Sequence, residues 1–405
     1  MFFNTWFKGR SKRIYLDHAA ATPMLPLVKK AMEPFLTDYF ANPSAIHQEG
    51  QFAKKAVMKA RQEIATILGV RPSGVTFTSG GTESNNLAIM GLVKRLHREE
   101  GIPYNQMEIL TTRLEHPSVL AVLPILANTG VKVNFVEVDS EGKITLPALK
   151  AALTSKTFLV TFAYANSEIG VVQPVQRLVR EIRRFEKNLS HKIIVHLDAA
   201  QAPLWLPCKL PDLGADLMSL DVAKCGGPKG LGLLVSHGDV PLLPILYGGG
   251  QEEGLRPGTE NVAAIVGSAV ALRLAQATYK SRAEKVIGLR DNFFTLLPKA
   301  LPNSIINGPL GDSRLANNIN FSLPGFDTEY AVVYLDKHGI AASTKSACAG
   351  AGGGNSTVVQ VISSDTKRAS STIRLTLNEE TKEQDLKTVL SLLQKYQKLM
   401  SNLTP

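Results

Sequence analysis

Short apolar runs alternate along the chain with stretches whose apolar positions recur at helical spacing, a pattern that predicts an α/β architecture. Val75-Thr76-Phe77-Thr78 is a β-branched and aromatic run broken by Ser79-Gly80-Gly81. A helix is expected from near Thr82, with Leu87, Met90, Val93 and Leu96 on about one face. Thr157 to Phe162 reads as a buried strand ending in Tyr164-Ala165-Asn166, and Ile193-Ile194-Val195 as another that closes at Asp198. Asp216 to Leu220 leads into a turn containing Lys224, and Gly230 to Val235 follows as a further strand. Asn166, Asp198 and Lys224 therefore fall just past the carboxyl ends of strands, the edge where open α/β sheets bind ligands.

From about residue 262 the pattern becomes a long helix, Val262 to Ala277 and its continuation. The main boundary is placed there, giving a large domain over 14–262 and a smaller C-terminal α/β domain over 263–405, with residues 1–13 as an arm. A length of 405 residues suits two or three domains. At 44% hydrophobic and 20% charged residues, disorder and coiled coil are not expected for the bulk of the chain. No run approaches about 18 consecutive apolar residues, so no membrane span is expected. The N-terminus lacks the basic start, apolar centre and cleavage site of a signal peptide, so the expected compartment is the cytoplasm.

Lysine plus arginine minus the acids is 45 − 35 = +10, and Lys8, Arg10, Lys12 and Arg13 hold four of those charges. The rest is scattered, without the basic stripe and interleaved aromatics of a nucleic-acid groove. Such a field suits anionic ligands or an acidic partner protein. Cys208, Cys225 and Cys348 are too few and too far apart for a disulfide framework or a zinc site, which fits a reduced compartment. No His-Glu-x-x-His helix is present, and no resident metal is expected.

Gly80-Gly81-Thr82 lies between a strand and a helix, as a phosphate cradle should, but it has neither dinucleotide-site nor P-loop spacing. What remains is a helix N-terminus able to hold one phosphate. Lys224, between Ala223 and Cys225, reads alone as a surface lysine and in context as an amine able to form a Schiff base with a carbonyl cofactor. Asp198, at a strand end, could keep a pyridine nitrogen protonated. Cradle, lysine and carboxylate together are far more specific than any one of them.

A longer series of segments carries a resemblance. Thr78 to Asn86 (TSGGTESNN), Glu115-His116, Asn166-Ser167-Glu168-Ile169-Gly170 and His196 to Gln201 (HLDAAQ) are similar to the cysteine desulfurases, as are Lys224 with Gly227-Pro228-Lys229-Gly230, Gly248 to Glu252 (GGGQE), Arg256 to Thr259, Ser346-Ala347-Cys348 and Ser371 to Arg374. Their order holds from about Ile14 to Asp385, and the Ser-Ala-Cys context resembles the NifS/IscS-like group. The resemblance implies a fold-type I pyridoxal phosphate transferase of the class-V aminotransferase kind. It implies a mostly parallel, seven-stranded type of sheet and a homodimer with its site near the subunit interface.

It also implies roles. Lys224 carries the cofactor as a Schiff base and moves the proton at the substrate α-carbon. His116 stacks on the cofactor ring and assists proton transfer. Asp198 pairs with the pyridine nitrogen and Gln201 with the ring oxygen. Gly81 and Thr82 hold the phosphate, joined by Thr259 of the second subunit. Asn166 contacts both cofactor and substrate carboxylate, and Arg374 grips that carboxylate as a fork. Cys348, in a small Ala/Gly stretch, attacks the sulfur of L-cysteine and carries it as a persulfide to a sulfur acceptor or iron–sulfur scaffold protein. It could also share a cluster there transiently. Cys208 and Cys225 read as buried filler. His18 and His47 lie in motifs that also resemble the family and read as support for the site.

One segment departs from the family pattern. Asp221, Val222 and Ala223 stand where it has Ser-x-His before the lysine. Either Asp221 points elsewhere and Ser219 or backbone N–H groups take over, or phosphate binding is weaker. The expected activity is conversion of L-cysteine to L-alanine with sulfur delivered for iron–sulfur clusters, thio-cofactors or thiolated tRNA. The alternatives are a selenocysteine lyase, another class-V aminotransferase-fold enzyme, or a degenerate, cofactor-free partner in a sulfur-transfer complex.

Overall fold

A computed structural model of the chain describes residues 13–344 and 354–401. They divide into two compact units. The larger comprises Ala21–Asn166 and Val171–Lys280. It is built on a seven-stranded sheet: β1 (Val75–Thr78), β2 (Glu108–Thr111), β3 (Lys132–Phe135), β4 (Thr157–Ala163), β5 (Ile194–Asp198), β6 (Leu217–Asp221) and β7 (Gly232–Ser236). The spatial order is β1-β7-β6-β5-β4-β2-β3, and all pairs are parallel except those of β7 with β6 and β1. The expected mostly parallel sheet is thus observed. β5 and β6 are buried along nearly their whole length, which is why they read as continuous apolar runs rather than alternating ones.

Register sets the geometry that matters. Ala163 pairs with Asp198, and Asp198 with Ser219. Asp221 pairs with Gly232, and Gly232 with Thr78. The carboxyl ends of β4, β5, β6 and β1 therefore lie along one edge. Gly232 has no side chain because a Cβ there would come within 2.4 Å of the Gly80 carbonyl carbon. The strand can thus lie directly behind the turn that starts α1 (Gly81–Arg98), whose Leu87, Ala88, Ile89, Leu92, Val93 and Leu96 are buried in a cluster with β2, β4 and β5 side chains.

The long helix is α3 (Val262–Ala300). By length and composition it could cross a membrane, but 56% of its most apolar window is buried inside the protein. Val262, Ala264, Ile265, Ala269, Leu272 and Ala275 belong to the large unit's core. α3 continues through the boundary between the units, so the division falls at Ser281 rather than at 263. The apolar periodicity does not break there, and the sequence pattern carries no mark of it.

The smaller unit comprises the described parts of 1–20 and 281–405, with Ser167–Gly170. Its antiparallel sheet has the order β10-β9-β8: Thr372–Thr376, Asn318–Ser322 and Ile305–Ile306. The expected large domain over 14–262 loses two pieces to this unit. Ile14–Tyr15 pairs with Ile340–Ala341 and Asp17 bridges to Thr376, while Asn318 Nδ2 and Asn320 Nδ2 donate to the Glu168 carbonyl at 2.9 and 3.0 Å. These partners are far apart in sequence, beyond any local pattern. Gly170 has φ +73° and lies against Asn318, where a Cβ would meet Cγ at 2.6 Å.

The two kinds of glycine give opposite expectations. Gly232→Ala should destabilise by about 1–3 kcal/mol through overpacking against a backbone that cannot move aside. Gly288→Ala, exposed within α3 with nothing near its Cβ position, should stabilise by about 1 kcal/mol. Urea midpoints of the two variants check both signs.

Candidate active site

The carboxyl edge of the large sheet assembles residues from four chain segments. Asp198 ends β5, Asn166 follows β4, Lys224 ends the short 3₁₀ turn Val222–Lys224 after β6, and His116 follows β2. Asn166 is buried, and its Nδ2 donates to the Leu114 carbonyl at 2.8 Å, tying the β4 end to the segment that carries His116. Gln201 is buried in the turn after Asp198, closed by Ala202 N–H on the Ala199 carbonyl. The charges of Lys224, Asp198 and Asp221 all act on the His116 ring, so these groups share one site within the unit.

Asp198 is buried, and its carboxylate takes only neutral donors. Asn85 Nδ2 donates to Oδ2 at 2.9 Å and the Ala200 N–H to Oδ1 at 3.0 Å. It forms no salt bridge among the described residues. Glu115, acting electrostatically on Asp198, offers no cation either. Burial raises its carboxyl to about 8, with Asp198 adding to the rise and a 2.6 Å hydrogen bond from Thr112 opposing it. A buried anion without a counter-ion is costly. The arrangement suits a ligand that brings a cation, as a protonated pyridine nitrogen does.

Asn85 also donates to Ser118 Oγ at 2.8 Å, and Ser118 Oγ lies 2.7 Å from His116 Nδ1. His116 caps α2 (Pro117–Leu120), its Nδ1 accepting the Ser118 backbone N–H at 3.1 Å. Nε2 is buried without a hydrogen-bond partner among the described residues. The ring's pKa is lowered, mainly by burial and then by the Lys224 charge, against Asp198 and Asp221. Asn85 and Ser118 were not singled out from the sequence as site residues. Asn85 lies within the TSGGTESNN segment but was given no role there, and the signal for Ser118 was the His-Pro-Ser order, which combines a cap with a proline at the first helical position.

The cradle at the start of α1 has no side chain at Gly80 or Gly81, and Thr82 is exposed beside them. Asp221 points back into its own turn, where Oδ1 accepts the Ala223 N–H at 3.1 Å. Its Oδ2 nevertheless lies 3.9 Å from where a Gly81 Cβ would stand. Ser219 does not replace the family's serine. It is fully buried, with Oγ 2.9 Å from His196 Nε2. Asp221 thus does not point wholly away from the cradle, and Ser219 is committed to His196.

The Gly248–Thr259 segment is anchored by two acids. Glu252, at φ +49°, takes Arg61 through both oxygens at 2.6 and 2.9 Å and the Phe77 N–H at 2.9 Å. Glu83 accepts Ser79 N–H at 2.7 Å and Arg256 Nε at 3.1 Å, linking the cradle to this segment. Thr259 is exposed beyond these anchors, and no hydrogen bond joins it to the cradle among the described residues.

In the smaller unit Arg374 is 1% exposed. Its Nη2 donates to Asp17 Oδ1 at 2.8 Å and Nη1 to the Ser167 carbonyl at 3.2 Å, while Nε is buried without a partner among the described residues. A guanidinium in this state already holds one carboxylate, and the fork has donors left for another. His18 is buried against Tyr15 in an edge-to-face contact, and His47 is an exposed helix cap. Cys208 and Cys225 are fully buried, and burial pushes the Cys208 thiol up, so neither suits sulfur chemistry. Cys348 lies outside the described residues.

The family described as aminotransferase class-V matches residues 14–389. The chain belongs to this family and, within it, to the cysteine desulfurases. A cysteine desulfurase IscS of Dictyoglomus turgidum is 36% identical over 394 residues, 97% of either chain. A solved structure described as a NifS-like protein superposes with a TM-score of 0.87 at 31% identity, covering 96% of this chain and 100% of that one. Another, SspA in complex with cysteine, gives a TM-score of 0.75 at 33% identity over 90% and 99% of the two chains.

Glu115 makes stability fall as pH rises. Folded, it keeps its proton up to about 8, whereas in the unfolded chain it ionises from the ordinary 4.5. The native state thus binds more protons between those limits, and unfolding becomes easier with each step upward in pH. Urea titrations at pH 5, 6.5 and 8 should show a decline that is smaller in Glu115→Gln, and equal slopes for the two proteins would contradict it.

Proposed function

We propose that this chain is a pyridoxal phosphate-dependent cysteine desulfurase whose large-unit edge holds the cofactor and whose Cys348 receives the sulfur. The observation that carries the reading is the buried Asp198 carboxylate, held by neutral donors and in no salt bridge among the described residues, on the same strand edge as Lys224 and His116. The donor set fits the cofactor: an amine for its carbonyl carbon, a carboxylate for its ring nitrogen, and a helix start with glycines for its phosphate. Gly81, Thr82, Asn166, Asp198, Gln201, Lys224 and Thr259 of a second subunit would hold it. When bound it supplies an electron sink that acidifies the substrate α-carbon.

The rest falls to the chain's own groups. Asn166 and Arg374 orient the carboxylate of L-cysteine. The Lys224 amine takes the α-proton and returns it. The Cys348 thiolate forms a bond to the substrate sulfur as the carbon–sulfur bond breaks. The bonding pair stays with carbon, which takes up a proton and leaves as L-alanine, while Cys348 keeps the sulfur as a persulfide. An acceptor or scaffold protein with its own thiol then removes it. Release as persulfide rather than selenide distinguishes this reading from a selenocysteine lyase.

A homodimer and a cytoplasmic setting belong to the same proposal. The segment 24–58 exposes Leu27, Leu36, Phe40, Ile46 and Met58 at 58–94% of their surface, an apolar load that suits burial against a second copy.

Mass spectrometry after L-cysteine tests the mechanism. Lys224→Ala should lose the borohydride-reducible cofactor adduct and all alanine formation. Cys348→Ser should keep the adduct and lose the 32-Da gain that one sulfur brings, about the mass of the atom itself. Persulfide formation that persists in Cys348→Ser would remove that residue from the reaction.

Asp221 tests the phosphate site separately. A carboxylate about 4 Å from a phosphate charge costs about 4 kcal/mol at an effective dielectric near 20. Asp221→Asn should therefore tighten binding of free pyridoxal phosphate by about tenfold or more, equal to at least about 1.4 kcal/mol. Fluorescence titration of the cofactor-stripped protein reads this, and an unchanged affinity would take the phosphate away from Gly81.

A further inference from the structure

His116 sits in a chain of hydrogen bonds whose direction can be worked out from its ends. Asp198 at one end only accepts, so the Asn85 atom at 2.9 Å from it must be the amide nitrogen. The same Nδ2 lies 2.8 Å from Ser118 Oγ and spends its second hydrogen there. Ser118 Oγ thereby accepts from Asn85, and its own proton is free for His116 Nδ1 at 2.7 Å. The backbone settles the same point independently. The Ser118 N–H can only donate, and it points to Nδ1 at 3.1 Å as the cap of α2. Turning the ring over would put a carbon against both donors.

Nδ1 therefore receives two hydrogen bonds and carries no hydrogen. The proton of the neutral ring is on Nε2, the buried nitrogen without a hydrogen-bond partner among the described residues. We propose that His116 is locked as the neutral Nε2–H tautomer and serves the site as a hydrogen-bond donor, leaving the movement of the α-proton to Lys224. Asn85 and Ser118 are the positioning residues that hold it so. With this tautomer no lone pair of the ring faces the site, so Nε2 cannot accept a proton. Charging the ring requires a hydrogen on Nδ1, which breaks the cap and opposes the Ser118 hydroxyl.

The groups around the ring act in both senses, with burial the largest influence. Lys224, on the turn after β6, disfavours a second positive charge, as does burial. Asp198 at the end of β5 and Asp221 at the end of β6 favour it. Glu115, the preceding residue, stays protonated to about 8 and adds no charge below that. This differs from the expected assistance in proton transfer, in which the ring would cycle between charged and neutral forms. A neutral imidazole at a helix start, offering N–H rather than a lone pair, can still stabilise negative charge that develops on a neighbouring atom.

The inference rests on the desulfurase reading only for what the Nε2–H is aimed at; the tautomer is a property of the protein itself. Ring-¹⁵N-labelled histidine, read by NMR in the protein as purified, tests it directly. The resonances missing from His116→Gln assign the residue. His116 should show one species, protonated at Nε2 and still neutral at pH 6.5, where a free imidazole is about half charged. A proton on Nδ1, or an imidazolium at that pH, overturns the proposal. Asn85→Asp reverses the relay, because a carboxylate accepts from Ser118, and Ser118→Ala removes one donor. Each should raise the titration of His116, and an unmoved titration in both would dismiss the relay.

Turnover gives a second reading. His116→Gln keeps an N–H without a base and should lose about tenfold in kcat with an unchanged pH profile, whereas His116→Ala should lose about 100-fold, as for removal of an oxyanion donor. Equal losses, or a pH limb that vanishes in the glutamine variant, would make the ring an acid–base group. Failure of the unmodified protein to form alanine from L-cysteine would instead sink the functional reading and leave the tautomer result standing.

Discussion

The site depends first on strand register. Asp198 pairs with Ala163 on one side and Ser219 on the other, and Asp221 reaches Thr78 through Gly232. Because side chains alternate along a strand, a slip of one residue would turn Asp198 to the opposite face of the sheet. It would also break the level line on which the cradle, the carboxylate and the lysine turn meet. The apolar side chains of β4, β5 and β6 fix that register by filling both faces of the sheet. The chemistry at the edge is therefore specified by the packing of the core beneath it.

Asp198 shows why the edge has its particular composition. A buried carboxylate is normally either paired or protonated. Its neighbour Glu115 takes the second course, holding its proton to about 8. Asp198 is instead held by an amide and a backbone N–H, groups that orient an anion without neutralising it. The protein thus orients this carboxylate on the edge that also carries Lys224 and His116.

Much of this was legible in the sequence. Val75–Thr78 appears as read, and the strands expected at Thr157–Phe162 and Gly230–Val235 are observed at Thr157–Ala163 and Gly232–Ser236. These runs are apolar, compact and bounded by glycine or polar breaks. Glu108–Thr111 and Lys132–Phe135 carried too much polarity for such a reading. Glu108 is fully buried yet takes hydrogen bonds from Thr154, Thr157 and Asn134, and a salt bridge from the largely exposed Lys132. The membership of Ile14–Ala20 and Ser167–Gly170 in the smaller unit was invisible for another reason. It rests on pairing with Ile340–Ala341, Thr376, Asn318 and Asn320, which no local periodicity encodes. Among site residues, the type of each group was readable, but the direction of its hydrogen bonds was not. Asn85 and Ser118 stand out only when the donors are counted in space.

Asp221 is where sequence and geometry meet most sharply. A serine or histidine at that edge would add donors to an anion at the start of α1, whereas the carboxylate adds a like charge and spends one oxygen on the Ala223 N–H. That bond shapes the very turn that presents Lys224, so Asp221 has a positioning role with an electrostatic cost. The cost is reduced because Oδ1, tied to the turn, is directed away from the cradle, and only Oδ2 approaches Gly81. A chain that keeps such a residue gains a tied lysine turn and, on the proposed reading, would lose part of its hold on phosphate. On the proposed reading, the cofactor would be retained more by a covalent bond to the amine and by the buried Asp198 carboxylate than by the helix start alone.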